Sequence, residues 1–257
     1  MKKITAIIGS SHKKNTYQAV NQFLENMAVN GDIEYEIVLL GDYHLETCRG
    51  CLACFEKGEE FCPLKDDRDK LMEKIESADG VVFATPNYTF DMSGRMKVFL
   101  DRFGYNCHRP RFFGKTFTSI VTQGMGRGGE IVKYFDFTGE ILGFNVVKGA
   151  CVTALDPRTE KEQQKINETL KKLSDRFYQA LFKPAFPEPS FFMLMGFRMG
   201  RTTVIQRADP KKRDYQYYTE KGWLTSDYYY PVRLGILKKI IGNFFDRVAP
   251  TILKMIA

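Results

Sequence analysis

No apolar run in this chain reaches the roughly 18 residues that a membrane-spanning helix needs, so the sequence predicts a water-soluble body. The opening, Met1-Lys2-Lys3-Ile4-Thr5-Ala6-Ile7-Ile8-Gly9, is basic and then apolar. Its apolar part is too short for the core of a secretion signal, and no small-residue cleavage site follows. It reads as a first strand, and the expected compartment is the cytoplasm. Internal repeats and low-complexity tracts are absent, as is the G-x-G-x-x-G fingerprint of dinucleotide folds. Histidine is scarce: His12, His44 and His108 are the three present. No His or carboxylate pair stands out as an acid–base couple, so no catalytic side chain is assigned, and His44 and His108 read as surface or packing residues.

What the chain does have is length and strong periodicity. At 257 residues, with 44% hydrophobic and 27% charged, it is long for one small α/β domain and short for two, which predicts one core plus an extension. Strands are expected at Lys3 to Gly9, Ile33 to Leu40, Gly80 to Thr85, Thr116 to Thr122 and Asn145 to Ala154, where short β-branched runs stop at glycine or polar residues. Helices are expected at Thr16 to Met27, Asp67 to Ala78, Ser93 to Phe103, Ile131 to Leu142 and Thr159 to Leu181, where apolar residues recur at three and four. This alternation predicts an α/β doubly wound parallel sheet with right-handed crossovers and strand order 2-1-3-4-5. The prolines of Phe182-Lys183-Pro184-Ala185-Phe186-Pro187-Glu188-Pro189 end the alternation, giving an expected domain at 1–181 and an extension at 182–257.

The net charge of +7 belongs to that extension. Residues 1–180 carry 25 Lys plus Arg and 25 Asp plus Glu, whereas residues 181–257 carry 13 and 6. The extension should end in an amphipathic helix over Val232 to Ile256 that Pro250 is positioned to interrupt. Its apolar stripe is Leu237, Ile241, Phe244, Phe245, Val248, Ile252 and Ile256. Such a stripe must be covered. Docking within a homo-oligomer is the expectation, and peripheral contact with an anionic membrane is the alternative; nucleic acid is not expected as a partner.

In an open parallel sheet a ligand sits beyond the carboxyl ends of the strands where their order reverses, here between the first and third strands. The loop after the first strand, Gly9-Ser10-Ser11-His12-Lys13-Lys14-Asn15-Thr16, brings hydroxyls, an amide and backbone N–H groups to a helix start, which suits a phosphate. The competing reading makes Ser10, Ser11, Asn15 and Thr16 ordinary helix caps. The loop Thr85-Pro86-Asn87-Tyr88 offers Tyr88 to stack on a flat ring and Asn87 to meet its polar edge. The loop Thr122-Gln123-Gly124-Met125-Gly126 allows close backbone approach at the same edge. Without a dinucleotide fingerprint, a mononucleotide fits best.

A second chemistry is carried by Cys48, Cys51, Cys54 and Cys62, spaced C-x2-C-x2-C-x7-C. Three thiolates two residues apart can wrap one face of an iron-sulfur cubane and a distant fourth can close it. Free or redox-active thiols and zinc are the other readings, although structural zinc sites favour two separated ligand pairs. Cys107 and Cys151 read as unrelated packing residues.

From Lys3 to about Leu181 the chain resembles the NADPH-dependent FMN reductase and iron-sulfur flavoprotein group, which is flavodoxin-like. The resemblance rests on Gly9-Ser10 with Asn15-Thr16, the cysteine motif, Ala78-Asp79-Gly80, Pro86-Asn87-Tyr88, and Ser93-Gly94 running to Asp101-Arg102. It implies that Ser10, His12, Asn15 and Thr16 hold the phosphate of FMN, and that Pro86 to Tyr88 with Met92, Ser93 and Gly94 hold the isoalloxazine. His12 stands where many relatives carry Arg. The resemblance also implies a [4Fe-4S] cluster on the four cysteines, and a chain that passes electrons from NAD(P)H through flavin to an acceptor. A ferredoxin-fed electron carrier is the alternative, and a non-enzymatic scaffold binding membrane or nucleic acid through the basic tail is the third.

Overall fold

A computed structural model describes residues 1–255, with side chains described as far as Thr251. In chain order the first elements are β1 (Lys2–Ile8), α1 (Asn15–Ala28), β2 (Ile33–Leu39), α2 (Ala53–Glu56), α3 (Arg68–Glu76) and β3 (Gly80–Tyr88). Next come β4 (Asp91–Met92), α4 (Gly94–Arg102), β5 (Thr116–Gln123), α5 (Gly128–Leu142), β6 (Asn145–Val146), β7 (Ala150–Thr153) and α6 (Glu160–Leu181). The chain ends with α7 (Phe191–Arg207), α8 (Arg213–Glu220) and α9 (Ile236–Met255). These group into two compact units. One comprises Met1–Cys48, Asp66–Gly104 and Phe112–Ala185, and the other Arg49–Lys65, Tyr105–Arg111 and Phe186–Ala257.

The first unit is the sheet. β1 pairs in parallel with β2 on one side and β3 on the other, and β3 pairs in parallel with β5, giving the order β2-β1-β3-β5-β6. This is the flavodoxin-like order expected from the alternation of strands and helices. β1 is central, which is why Ile4, Ala6, Ile7 and Ile8 form a nearly continuous apolar run, all fully buried. The expected fifth strand is broken in two. Phe117 faces Val146 while Ile120 faces Ala150, so three steps on β5 oppose four on its neighbour, a one-residue bulge. Gly149 lies in the break, where a Cβ would collide with the Ser119 backbone. The short β4, absent from the sequence reading, folds back on β3 as an antiparallel hairpin.

Helices cover the sheet as their periodicity requires. α1 buries Ala19, Val20, Phe23, Leu24 and Met27, and Phe23 meets Phe177 of α6 edge to face at 5.6 Å. α6 begins with a reciprocal capping box between Thr159 and Glu162. A buried ion pair, Arg102 with Asp66, closes the sheet side of the cysteine segment. Asp66 also accepts the N–H of Glu46 at 2.9 Å and of Arg68 at 3.2 Å, and Arg102 donates to the Glu46 carbonyl at 3.0 Å.

The second unit has a different core. Leu194 and Phe197 of α7 are buried with Tyr218, Trp223, Tyr228, Leu234 and Ala249. Buried Arg198 and Arg201 of α7 both bind Asp246 of α9. Arg109 is fully buried, donating to the Cys54 carbonyl at 2.8 Å, to Glu59 at 2.9 Å and to Asp214. Through these bonds Arg49–Lys65 and Tyr105–Arg111 join the tail in one unit, so the tail does not stand alone from residue 182. α9 runs through Pro250 without the expected interruption, although the proline removes one backbone hydrogen bond and crowds the carbonyl four residues earlier. The predicted stripe divides: Ile241, Phe245 and Val248 are half-buried, whereas Leu237 and Phe244 are exposed. The side chains of Ile252 and Ile256 lie outside the described residues. Among the described residues no helix is long and apolar enough to cross a membrane.

Candidate functional site

An open cleft of about 210 Å³ lies beyond the carboxyl ends of β1, β3, β5 and β7, all within the sheet unit. Its position is the reversal point between β1 and β3. Ser10, His12, Lys14, Asn15 and Thr16 line one end of it. Pro86, Asn87 and Tyr88 line another part, and Thr122, Gln123, Gly124 and Ala154 complete the wall.

The first loop is held by close packing. A Cβ at Gly9 would lie 2.6 Å from Ser93 Oγ and 2.7 Å from Met96 Cβ, so only glycine fits. Ser93 Oγ donates to the Gly9 carbonyl at 2.6 Å, and the Ser93 N–H donates to Thr85 Oγ1 at 2.9 Å. Ser93 is also the N-cap of α4. It therefore braces the two loops from outside the lining of the cleft. Met92 is buried opposite Asn87 in the hairpin and Gly94 is exposed, so neither lines the cleft either.

At α1 the capping alternative does not hold. The N-cap is Lys14, which makes no side-chain cap bond, and no acidic residue occupies the first turn. Helix-terminal N–H groups with no acid in their own turn suit an anion, and Asp156, which contacts Asn15, is paired with Arg158 at 2.8 Å. Asn15 and Thr16 act as struts: Asn15 Nδ2 donates to the Ala154 carbonyl at 2.8 Å, Asn15 Oδ1 accepts from Arg158 at 2.8 Å, and Thr16 Oγ1 bonds Thr122 Oγ1 at 2.6 Å. Ser10 Oγ accepts the His12 N–H at 3.2 Å, which folds the loop over. Lys14 adds a cation to the cleft that the sequence reading missed. Its signal was the Lys13-Lys14 pair placed just before Asn15-Thr16.

The hairpin presents the other end. Thr89 and Phe90 have φ of 53° and 66°, two consecutive left-handed residues in a turn where Asn-Gly is usual. Tyr88 is left 59% exposed at the mouth of the cleft. Asn87 Nδ2 donates to the Gly126 carbonyl at 2.8 Å, whereas its Oδ1 is buried without a hydrogen-bond partner. An unsatisfied buried acceptor is costly, and a ligand N–H would relieve it. Gln123 Oε1 accepts the Gly128 N–H at 2.7 Å, fixing the third loop. The cleft thus has a cationic end and a flat, hydrogen-bonding end.

Cys48 and Cys51 are exposed, Cys54 and Cys62 half-buried, and all are free thiols. Cys48 belongs to the sheet unit and the other three to the second unit. The donor type suits an iron-sulfur cluster, but among the described residues no three His, Cys, Asp or Glu side chains are placed to hold a metal ion. Burial pushes the Cys151 thiol up to about 11, in keeping with a packing role. Cys107 is instead exposed. His108 Nδ1 lies 2.8 Å from Asp214 and its ring meets Phe55, while His44 is at the surface; neither lines the cleft.

The chain is similar to several known proteins. An iron-sulfur flavoprotein of Archaeoglobus fulgidus is 28% identical over 233 residues, covering 86% of this chain and 100% of that protein. A second from the same organism is 37% identical over 128 residues, covering 49% of this chain and 62% of the other. Among solved structures, RosB with bound 8-demethyl-8-formylriboflavin-5'-phosphate superposes with a TM-score of 0.59 at 13% identity, covering 92% of each chain. An NADH:FMN oxidoreductase in its apo form gives 0.51 at 18% identity, covering 72% of this chain and 92% of that one. These two likenesses establish the fold alone. Residues 2–155 match the family model of NADPH-dependent FMN reductases. The chain thus belongs to the NADPH-dependent FMN reductase family, FMN-dependent oxidoreductases fed by a nicotinamide nucleotide.

Proposed function

We propose that this cleft is the FMN site, with the phosphate at the N-terminus of α1 among Ser10, His12, Lys14, Asn15 and Thr16, and the ring against Pro86, Asn87, Tyr88 and Gly124. The observation that carries this reading is the unpartnered Asn87 Oδ1, an acceptor aimed at nothing in the protein. Bound flavin supplies hydride and electron transfer. The protein's part is to bind and orient: α1 and Lys14 fix the anionic end, the hairpin presents Tyr88, and Ser93 locks the hairpin to the first loop. The open mouth of the cleft would leave NAD(P)H and an electron acceptor room to reach the site.

Anaerobic mixing of FMN-loaded protein with NADPH or NADH tests this directly. Rapid loss of the visible flavin absorption is expected. Reduction by reduced ferredoxin alone would favour the electron-carrier reading, and a protein that retains no flavin would favour the scaffold. For the cysteine segment, spacing and the names of the relatives support a [4Fe-4S] cluster. Iron and acid-labile sulfide near about four per chain are expected after anaerobic reconstitution. Iron well below about one would leave free thiols.

A further inference from the structure

Four large apolar side chains on α9 are left in water: Ile236 at 81% exposure, Leu237 at 62%, Ile240 at 61% and Phe244 at 57%. Their spacing puts them on one face over successive turns. The opposite face is occupied, since Gly242 and Ala249 are buried and a Cβ at Gly242 would lie 3.3 Å from the Arg198 guanidinium. The helix has one acidic residue, Asp246, and it turns inward to Arg198 at 2.6 Å and to Arg201. Lys238 pairs with Glu188 at 3.1 Å. Lys239 and Arg247 are exposed, as is Arg233 just before the helix, and among the described residues no carboxylate ion-pairs with them. The outer face of α9 is therefore apolar and cationic, with its only anion withdrawn into the core.

We propose that this face docks on an anionic lipid surface. Charge selects the occupant. A second copy using the same face would add its own Lys239 and Arg247 to the interface with no carboxylate of α9 free to offset them, whereas acidic headgroups neutralise them as the apolar side chains enter the acyl boundary. The helix lies on the bilayer and does not cross it, because it is too polar to span. The proposal is independent of where FMN sits.

Flotation of the full-length, FMN-loaded protein with vesicles tests it. The parent should float with phosphatidylcholine vesicles containing phosphatidylglycerol, far less with phosphatidylcholine alone, and less with rising salt. Ile240→Glu combined with Phe244→Glu should lower the bound fraction about tenfold or more, with flavin content and circular dichroism unchanged. Lys239→Glu with Arg247→Glu should remove the preference for acidic lipid. Equal, negligible flotation of the parent with both vesicles would overturn the proposal. So would a parent that sediments as two copies, fails to float, and becomes a single copy in the Ile240→Glu/Phe244→Glu variant, since the face then belongs to a second chain.

Discussion

In the sheet unit the interior is built from isoleucine, valine, alanine and phenylalanine, and Arg102 with Asp66 closes one loop, whereas in the second unit Arg109, Arg198 and Arg201 sit inside among tyrosines and tryptophan. The first interior is held by apolar burial, which follows a regular period. The second depends on ion pairs whose partners lie far apart in sequence, such as Arg109 with Asp214. Removing one member of such a pair leaves its partner charged and desolvated, so the second unit is more exposed to single substitutions of charge.

The largest expected effect follows from that difference. Arg109→Ala takes a buried cation from both Glu59 and Asp214, leaving Glu59 only Arg111 and Asp214 only His108, and should lower the stability of the second unit by up to about 3–5 kcal/mol. Trp223 is the sole tryptophan and lies in that unit, so its fluorescence in urea reports the change. A shift under about 1 kcal/mol, the range of an exposed pair, would mean that the arginine interior contributes little. Arg102→Ala should have a similar cost in the sheet unit, read by flavin release.

Acid sharpens the comparison next. Burial raises the Asp66 carboxyl pKa, but the Arg102 hydrogen bond, the Glu46 and Arg68 N–H groups and the Arg102 charge together hold it below its ordinary value. For Glu59, burial likewise raises the pKa, and Arg111 and Arg109 outweigh it. A depressed carboxylate stabilises the fold above its unfolded pKa, roughly 4 for both, and that contribution is lost as pH falls through the lower folded value. Both units should therefore weaken below about pH 4. Asp66→Asn should flatten that acid limb for flavin release and leave it intact for Trp223 fluorescence; an unchanged flavin profile would count against the pair. The smallest effect is at Ser93. Ser93→Ala removes a cap and the bond to Gly9, and should destabilise the sheet unit by about 1–2 kcal/mol in urea unfolding. Because Ser93 is a brace, the preference of the protein for FMN over riboflavin should stay the same. A lost preference would make Ser93 a ligand to the phosphate.

How far the sequence could be read follows the same division. The apolar run of β1 and the three- and four-residue recurrence in α1 and α6 exposed the sheet unit and its strand order, because burial on one or both faces imposes a period. The break between β6 and β7 escaped because a bulge is set by pairing with β5 and by the close approach of Gly149 to Ser119, not by local pattern. The β3–β4 hairpin escaped because Thr89 and Phe90 carry no glycine or asparagine to announce a left-handed turn. Ser10, Asn15 and Thr16 looked like caps or ligands. Their actual bonds, to His12, Ala154, Arg158 and Thr122, depend on loops that meet only after folding. In α7 the buried Arg198 and Arg201 interrupt the apolar stripe, so no period could reveal which face was inside.

The central claim is that α1 and Lys14 hold a phosphate while Asn87 and Tyr88 hold a ring, and one comparison of affinities tests it. Equilibrium dialysis of FMN and riboflavin against the apoprotein, and against Lys14→Glu, separates the two ends of the ligand. The account predicts that FMN binds at least about tenfold more tightly than riboflavin, and that Lys14→Glu weakens FMN while leaving riboflavin nearly unchanged. Equal affinities for the two flavins, or equal loss of both in Lys14→Glu, would show that the phosphate does not sit at the N-terminus of α1.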